Sequence, residues 1–443
     1  MKKVMKKILI ALSLILSLTM VSAQPKNAAE AQKAVAKAEA AAADAKKATK
    51  PATWIAVAKA YIEAYEQPSK NILTGTPQSE VKIFLKDQKV LGTSQKQCTE
   101  GNYTVESYAD KDLYYNEAGI LDFYLVTKPA LEGDMLAKAI DALEKAKAVD
   151  PKDSKAKDIT AMMEDIHGKY ANEALSEYLA GDFAKAANLF KKAADCAANP
   201  LLGKEDAQNT YYCALVSNLA GNKEQAVEYY KKCLDLGFYQ DGNTYSNLAD
   251  VYRALGDNDS RKAMLEEGFV KFPENSGILV GLINLYMETN EDTAKLFDLL
   301  HTAQGIDPKN ASLYYAEAEV YNKLKDLENA EKLYRKSYEV DKNYLYGMYG
   351  LGALYYNNFV DLREKASNEL DDAKYAALEK QMEESLQKAV EPFEIAFDNA
   401  KDPDLKTACA EPLKTICFIF REDPKYMEKY EKYNGYLNSL KGE

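Results

Sequence analysis

The 443-residue sequence predicts an all-α fold, a solenoid of paired helices, with one small antiparallel β insertion near its start. Three observations predict it. The first is a repeated skeleton of side-chain sizes. GDFAKAANLFKKA (181–193) and GNKEQAVEYYKKC (221–233) both place a small residue five positions after a Gly (Ala186, Ala226), an aromatic four further on (Phe190, Tyr230) and a second small residue three beyond that (Ala193, Cys233). The second is a period near 34 residues into which the skeleton extends, clearest in residues 311–344. The third is a change of period between residues 67 and 134, where Tyr103, Val105 and Ser107 alternate two by two. Recurrence at a fixed period with helical spacing inside each unit marks a repeat array, because one unit buries its apolar face only on its neighbours.

The elements follow in chain order. Residues 1–23 read as a secretory signal peptide: Lys2, Lys3, Lys6 and Lys7 lead, Ile8 to Val21 is largely apolar, and Val21-Ser22-Ala23 offers small residues for cleavage before Gln24. The apolar run is shorter than the roughly 20 residues a membrane span needs. No Cys stands at the cleavage point to take a lipid. Residues 24–50, mostly Ala, Lys and Glu, form either a helix lying on the first repeat or a linker.

Residues 51–153 form a first hairpin split in two. PATWIAVAKAYIEAY (51–65) supplies its first helix through Trp54, Val57, Ala58 and Tyr61, and LAKAIDALEKAKAVDP (136–151) supplies the second through Ala139, Leu143 and Ala146. The insertion 67–134 lies between them, and YYNEAGILDFYLVT reads as strand, turn at Asn116 to Gly119, strand. An isolated hairpin is marginal in water, so this sheet must bury a face on the helices.

Residues 154–344 carry the array. In 311–344, Tyr314, Ala318 and Tyr321 share one helical face, and Ala330, Leu333, Tyr334, Ser337 and Val340 share another beyond a polar break at Lys325-Asp326. The unit 242–275 has Arg261 where a small residue is expected, so its second helix is predicted to pack loosely. In 277–310 the turn at Thr289-Asn290-Glu291-Asp292 aligns poorly. Residues 345–403 form a further hairpin whose charged stretch 358–385 is a solvated helical extension. Residues 404–443 read as two capping helices broken at Pro424.

These patterns resemble the tetratricopeptide (TPR) repeat, with Tyr245, Leu248, Ala249 and Tyr252, then Gly268 and Pro273, standing at the pattern's positions in 242–275. With the Lys-rich leader, the array is similar to periplasmic TPR proteins, in particular envelope proteins of the Bacteroidetes type. The resemblance implies an exported protein, periplasmic or peripheral to the outer membrane, with no transmembrane segment after cleavage.

Charge and motif content narrow the function. Lys and Arg number 57 and Asp and Glu 69; a leader carrying four of the Lys and no acid leaves 53 against 69, a balance of −16. Such a chain repels phosphate backbones, so nucleic acid is not the expected partner. His167 and His301 have no partner constellation, and there is no HExxH, GxSxG or phosphate loop. The glycines of GMYGLG (347–352) follow no strand, and Gly352 fills a small-residue slot. The six Cys show no zinc spacing and read as buried small hydrophobes, with a Cys213–Cys233 bridge as the sharper alternative. Cys409 and Cys417 stand about 12 Å apart along one helix, beyond disulfide reach. No enzyme, cofactor or metal is expected.

The resemblance places the partner surface on the concave face, lined by first-helix side chains: Tyr178, Tyr211, Asn218, Asp250, Arg253, Tyr315, Glu319, Asn322, Tyr349 and Tyr356. Tyr gives large contact area at little rotamer cost. The expected function is a non-catalytic scaffold or adaptor of the cell envelope that binds a protein or peptide there. The positions at which some TPR proteins grip a C-terminal carboxylate hold Tyr211, Leu215, Ser246, Asp250, Tyr315, Glu319, Tyr349 and Ala353, so that clamp is absent. The alternative is a glycan-uptake binding protein built on TPR helices, which predicts aromatic sugar platforms; only Trp54 is available here as an indole.

Overall fold

The structure is a computed structural model that describes residues 26–289 and 293–440. The signal-peptide reading of residues 1–23 falls outside the described residues, as do Asn290, Glu291 and Asp292 of the poorly aligned turn. The chain divides into two compact units, with the boundary between Tyr239 and Gln240, inside the stretch 154–344 that reads as one array in sequence.

The first unit opens with α1 (Ala28–Ala43), capped where the Asn27 side chain accepts from the Glu30 N–H. Of the two readings of residues 24–50, the structure holds the helix: Ala31 and Val35 are buried and α1 packs on α2 (Pro51–Glu66). Pro51 starts α2, where a missing N–H costs nothing. The partner of α2 is α4 (Met135–Ala148), far along the chain.

Between them come α3 (Gln78–Phe84) and a four-stranded antiparallel meander: β1 (Gly92–Cys98), β2 (Gly101–Ser107), β3 (Lys111–Tyr115) and β4 (Leu121–Val126). One face stacks Tyr114 on Phe123, centroids 4.3 Å apart, with Tyr103 edge-on at 5.2 Å from Phe123. Leu113, Tyr115 and Leu121 pack instead with Val81 and Leu85 around α3. The sheet is tied to the next helix, α5 (Ala156–Ala180), by Thr99, whose N–H donates to the Leu179 carbonyl at 3.0 Å and whose hydroxyl donates to that of Tyr178 at 2.7 Å. Alternation marks β2, where Tyr103 and Val105 are buried, but β1 and α3 have no such signal. The first six residues of β1 are exposed on both faces, so no apolar set is selected there.

The repeated skeleton is then explained by α6 (Phe183–Ala198), α7 (Ala207–Leu219) and α8 (Lys223–Asp235). Gly181 ends α5 and Gly221 ends α7, both left-handed at φ 92° and 84°. Asp182 and Asn222 follow as N-caps. Ala186, Phe190, Ala193, Ala226, Tyr230 and Cys233 are each at most 2% exposed. The small residues let helices approach, and the aromatics fill the space between hairpins.

The second unit continues with α9 (Asn243–Leu255), α10 (Asn258–Lys271), α11 (Ser276–Thr289), α12 (Thr293–Ile306), α13 (Ala311–Lys323) and α14 (Leu327–Val340). At the α13–α14 turn Lys325 takes the left-handed place that Gly holds elsewhere, φ 62°, and Asp326 caps α14. Arg261 corrects the expectation of loose packing. It is only 2% exposed, and its guanidinium pairs with Glu288 on α11, so a long side chain fills the small-residue slot by reaching outward to a carboxylate. Two turns on, Gly268 makes room for Tyr245 of α9, whose Cβ would stand 2.8 Å from a Cβ placed there.

The charged stretch 358–385 forms the outer ends of two long helices, α15 (Tyr346–Ser367) and α16 (Asp372–Asn399), joined across Asn368 to Asp371. They are followed by α17 (Pro403–Ile419) and α18 (Pro424–Ser439). Ala318, Ala330, Leu351, Phe393, Leu413 and Tyr433 join one core. All six Cys are free and buried, so the Cys213–Cys233 bridge is not formed. Among the described residues, no helix is long and apolar enough to cross a membrane, and no group of His, Cys, Asp and Glu has the arrangement of a metal site.

Candidate functional site

The tyrosines divide by burial, and the division decides which can meet a partner. In the first unit, Tyr178 is buried on α5 with its ring 5.8 Å from Phe183. Tyr211 is buried on α7, with Tyr230 and Phe238 each 5.8 Å away. Both were expected on the open face; both are core, because each ring is enclosed by aromatics of its own or the neighbouring hairpin. Asn218 is half-buried and spent locally, its side-chain oxygen accepting from the Lys223 ammonium at 2.6 Å across the α7–α8 turn.

In the second unit, Asp250 and Arg253 stand on α9 as an exposed pair, 3.0 Å apart. Such a pair contributes little stability. The remaining candidates lie on α13 and α15. Tyr356 packs its ring 6.0 Å from Phe359, on the same helix one turn on. Tyr315, Glu319 and Asn322 share α13, and Tyr349 stands on α15.

Glu319 is the centre of this group. It accepts from the hydroxyl of Tyr334, a fully buried residue of α14, and its charge acts on the phenol of Tyr315. The Asn322 amide reaches the Tyr334 hydroxyl at 3.5 Å. Burial first, then the Glu319 charge, pushes the Tyr315 phenol far above its ordinary value. Tyr334 is raised by the same two causes. Both hydroxyls therefore stay protonated donors through neutral pH. Burial also raises Tyr349, with Cys409, Glu319 and Glu411 adding to it.

Two residues that the sequence reading missed complete the surface. Tyr344 and Tyr346 flank the start of α15; Tyr344 lies 6.0 Å and Tyr346 6.3 Å from the Tyr315 ring, and they are 5.5 Å from each other. Tyr346 is 43% exposed. The density of Tyr in YLYGMYG (344–350) was the available signal. Glycines set the geometry. A Cβ at Gly347 would stand 2.8 Å from the Tyr334 carbonyl, and one at Gly350 only 2.5 Å from the Tyr334 ring. Their absence of side chains seats α15 against Tyr334, with Tyr346 beside the Tyr315 ring. The same contacts explain GMYGLG as packing.

Both histidines have carboxylate partners. His167 Nε2 lies 2.6 Å from Asp206, and His301 Nε2 lies 3.0 Å from Glu317. Neither stands beside a nucleophile in these contacts.

The arrangement is a stripe of phenol faces and hydroxyls around a carboxylate, suited to non-covalent contact. Several solved structures align with parts of this chain. A TPR protein of Bacteroides fragilis aligns over 56% of this chain and 97% of its own, at 21% identity and TM-score 0.25. One from Parabacteroides merdae aligns over 61% and 93%, at 13% identity and TM-score 0.36. YrrB, described as a TPR protein with an unusual peptide-binding site, aligns over 40% and 88%, at 15% identity and TM-score 0.27. No curated protein sequence matches the chain. The family model for the tetratricopeptide repeat matches residues 218–236, 242–269 and 311–344, so these three stretches are similar to tetratricopeptide repeats.

Proposed function

We propose that this chain is a non-catalytic protein-interaction scaffold of the cell envelope, and that it holds a protein or peptide segment on the tyrosine surface of its second unit. One observation carries the reading: the rings of Tyr344 and Tyr346 stand against that of Tyr315, with Tyr349 one turn further along α15 and Tyr346 open to solvent. Clustered Tyr side chains offer wide amphipathic area with few rotors to freeze, which is what interface hot spots are built from. The carboxylate and hydroxyls supply directional hydrogen bonds that select an occupant.

The test is quantitative capture from a native envelope extract after crosslinking. Tyr346→Ala with Tyr349→Ala is compared with Asp250→Ala with Arg253→Ala, each variant checked for unchanged helicity. The tyrosine pair should lose the wild-type partners and the charged pair should retain them. Retention of the same partners by the tyrosine variant would remove this surface as the site.

A further inference from the structure

The first unit carries a separate cleft of about 290 Å³ between α1, α2 and α4. Its floor is the Trp54 indole with small aliphatic side chains. Its rim carries four charges, two of each sign: Glu39 from α1, and Lys138, Asp141 and Lys145 from successive turns of α4. The Lys145 ammonium sits over the Trp54 ring, 5.0 Å from its centroid, and that of Lys138 lies 5.7 Å from the centroid of Tyr61. Glu39 accepts from the Tyr61 hydroxyl.

Among the described residues, none of these four charges forms an ion pair, although the spacing on α4 permits one. Elsewhere in the same unit such spacings do pair, as in Lys155–Asp158 at 2.9 Å and Lys191–Asp195 at 2.5 Å. The cleft therefore presents separated charges of both signs above an apolar floor. A purely anionic ligand would meet Glu39 and Asp141, and a purely cationic one would meet two ammoniums. A ligand of zero net charge that carries both charges satisfies the rim. An apolar body satisfies the floor, and the volume lies at the small end of ligand pockets.

We propose that this cleft binds a free α-amino acid with an apolar side chain of about leucine size. The ammonium meets Glu39 and Asp141, the carboxylate meets Lys138 and Lys145, and the side chain lies on Trp54. Lys145 exchanges its contact with the indole for a charge-assisted hydrogen bond. The site is independent of the tyrosine surface, and each proposal stands or falls without the other.

Trp54 is the single Trp of the chain, so intrinsic tryptophan emission reports this cleft alone. Titration of the full chain with L-leucine should give a saturable change in that emission. N-acetyl-leucine, which lacks the ammonium charge, and leucinamide, which lacks the carboxylate, should each bind about tenfold more weakly or worse. Lys145→Met and Asp141→Asn should weaken leucine by a similar factor, with helicity and melting temperature unchanged. Calorimetry on Trp54→Phe gives a readout that does not depend on the indole and should also show weaker binding. The proposal is overturned if leucine gives no saturable change, if N-acetyl-leucine binds as well as leucine, or if glucose or glucuronate produces the response that leucine does not.

Discussion

Replacing Gly350 by Ala opposes two effects whose sizes the structure separates. Gly350 is inside α15, where Ala is the better helix former by about 0.5–1 kcal/mol. Its missing side chain, however, faces the ring of Tyr334, and a Cβ would come within 2.5 Å of Cε1 and 3.0 Å of Cζ. Tyr334 is fully buried and its hydroxyl is held by Glu319, so the ring has little room to retreat. Overpacking of this kind costs about 1–3 kcal/mol. The net expectation is a loss of about 1–2 kcal/mol, or roughly 2–8 °C for a unit of this size. Gly435 supplies the matched control. It lies in α18 of the same unit, exposed, with nothing within 4 Å of an added Cβ. Gly435→Ala should therefore gain about 0.5–1 kcal/mol. Thermal melts followed by circular dichroism on both variants give the comparison. A Gly350→Ala protein as stable as wild type, or a Gly435→Ala protein that is less stable, would show that propensity and steric room have been weighed wrongly.

Two further outcomes follow from single residues. Asp134 caps α4 by accepting the Ala137 N–H, and it also accepts the Tyr170 hydroxyl and the Lys192 ammonium, each at 2.9 Å. Burial pushes its carboxyl upward, but the Lys192, Ala137 and Tyr170 donors outweigh that and hold it below the ordinary value. Asp134→Ala should cost about 2–4 kcal/mol, a lost cap plus an orphaned buried phenol. A folded value below the unfolded one means the contribution is complete above about pH 4 and disappears as pH falls through the folded value. Urea midpoints should thus show a constant gap to wild type from pH 5 to 7 that narrows near pH 3; a gap that widens on acidification refutes the assignment. For the cysteines, burial pushes Cys196, Cys213, Cys233 and Cys409 up to about 12 and Cys417 to about 11. An aromatic disulfide reagent should find these five thiols unreactive in the native protein and all six reactive in guanidinium; fast native labelling of any of the five would contradict their burial.

How much was legible in the sequence depends on how local the cause was. The Gly-cap-small-aromatic order of 181–193 names a helix end, a cap and a buried stripe, and each is satisfied within a dozen residues. The pairing of α2 with α4 was also legible, because both carry the apolar periodicity of a hairpin despite the residues between them. The strand β1 was not, since a strand with two wet faces has no apolar alternation to read. Lys325 shows the limit of a residue rule. A left-handed turn was required there, and the chain met it with Lys because Asp326 still caps the next helix.

The candidate surface was legible only as positions along helices. Tyr315 and Glu319 stand on α13 and Tyr349 on α15, as the period assigns them. Tyr178 and Tyr211 occupy the same kind of position and are buried, and period alone does not distinguish the two outcomes.

Side-chain sizes at intervals of three, four and about thirty-four determined by themselves that this chain would fold as stacked helical hairpins, because periodicity encodes which face of each helix turns inward. Tertiary structure alone decided which tyrosines remain wet, that Cys213 and Cys233 stay unbridged, that Arg261 is buried with a partner, and that four charges around Trp54 stay apart. Those outcomes depend on groups contributed by other helices, and the distance between two side chains on different helices is not a property of either helix.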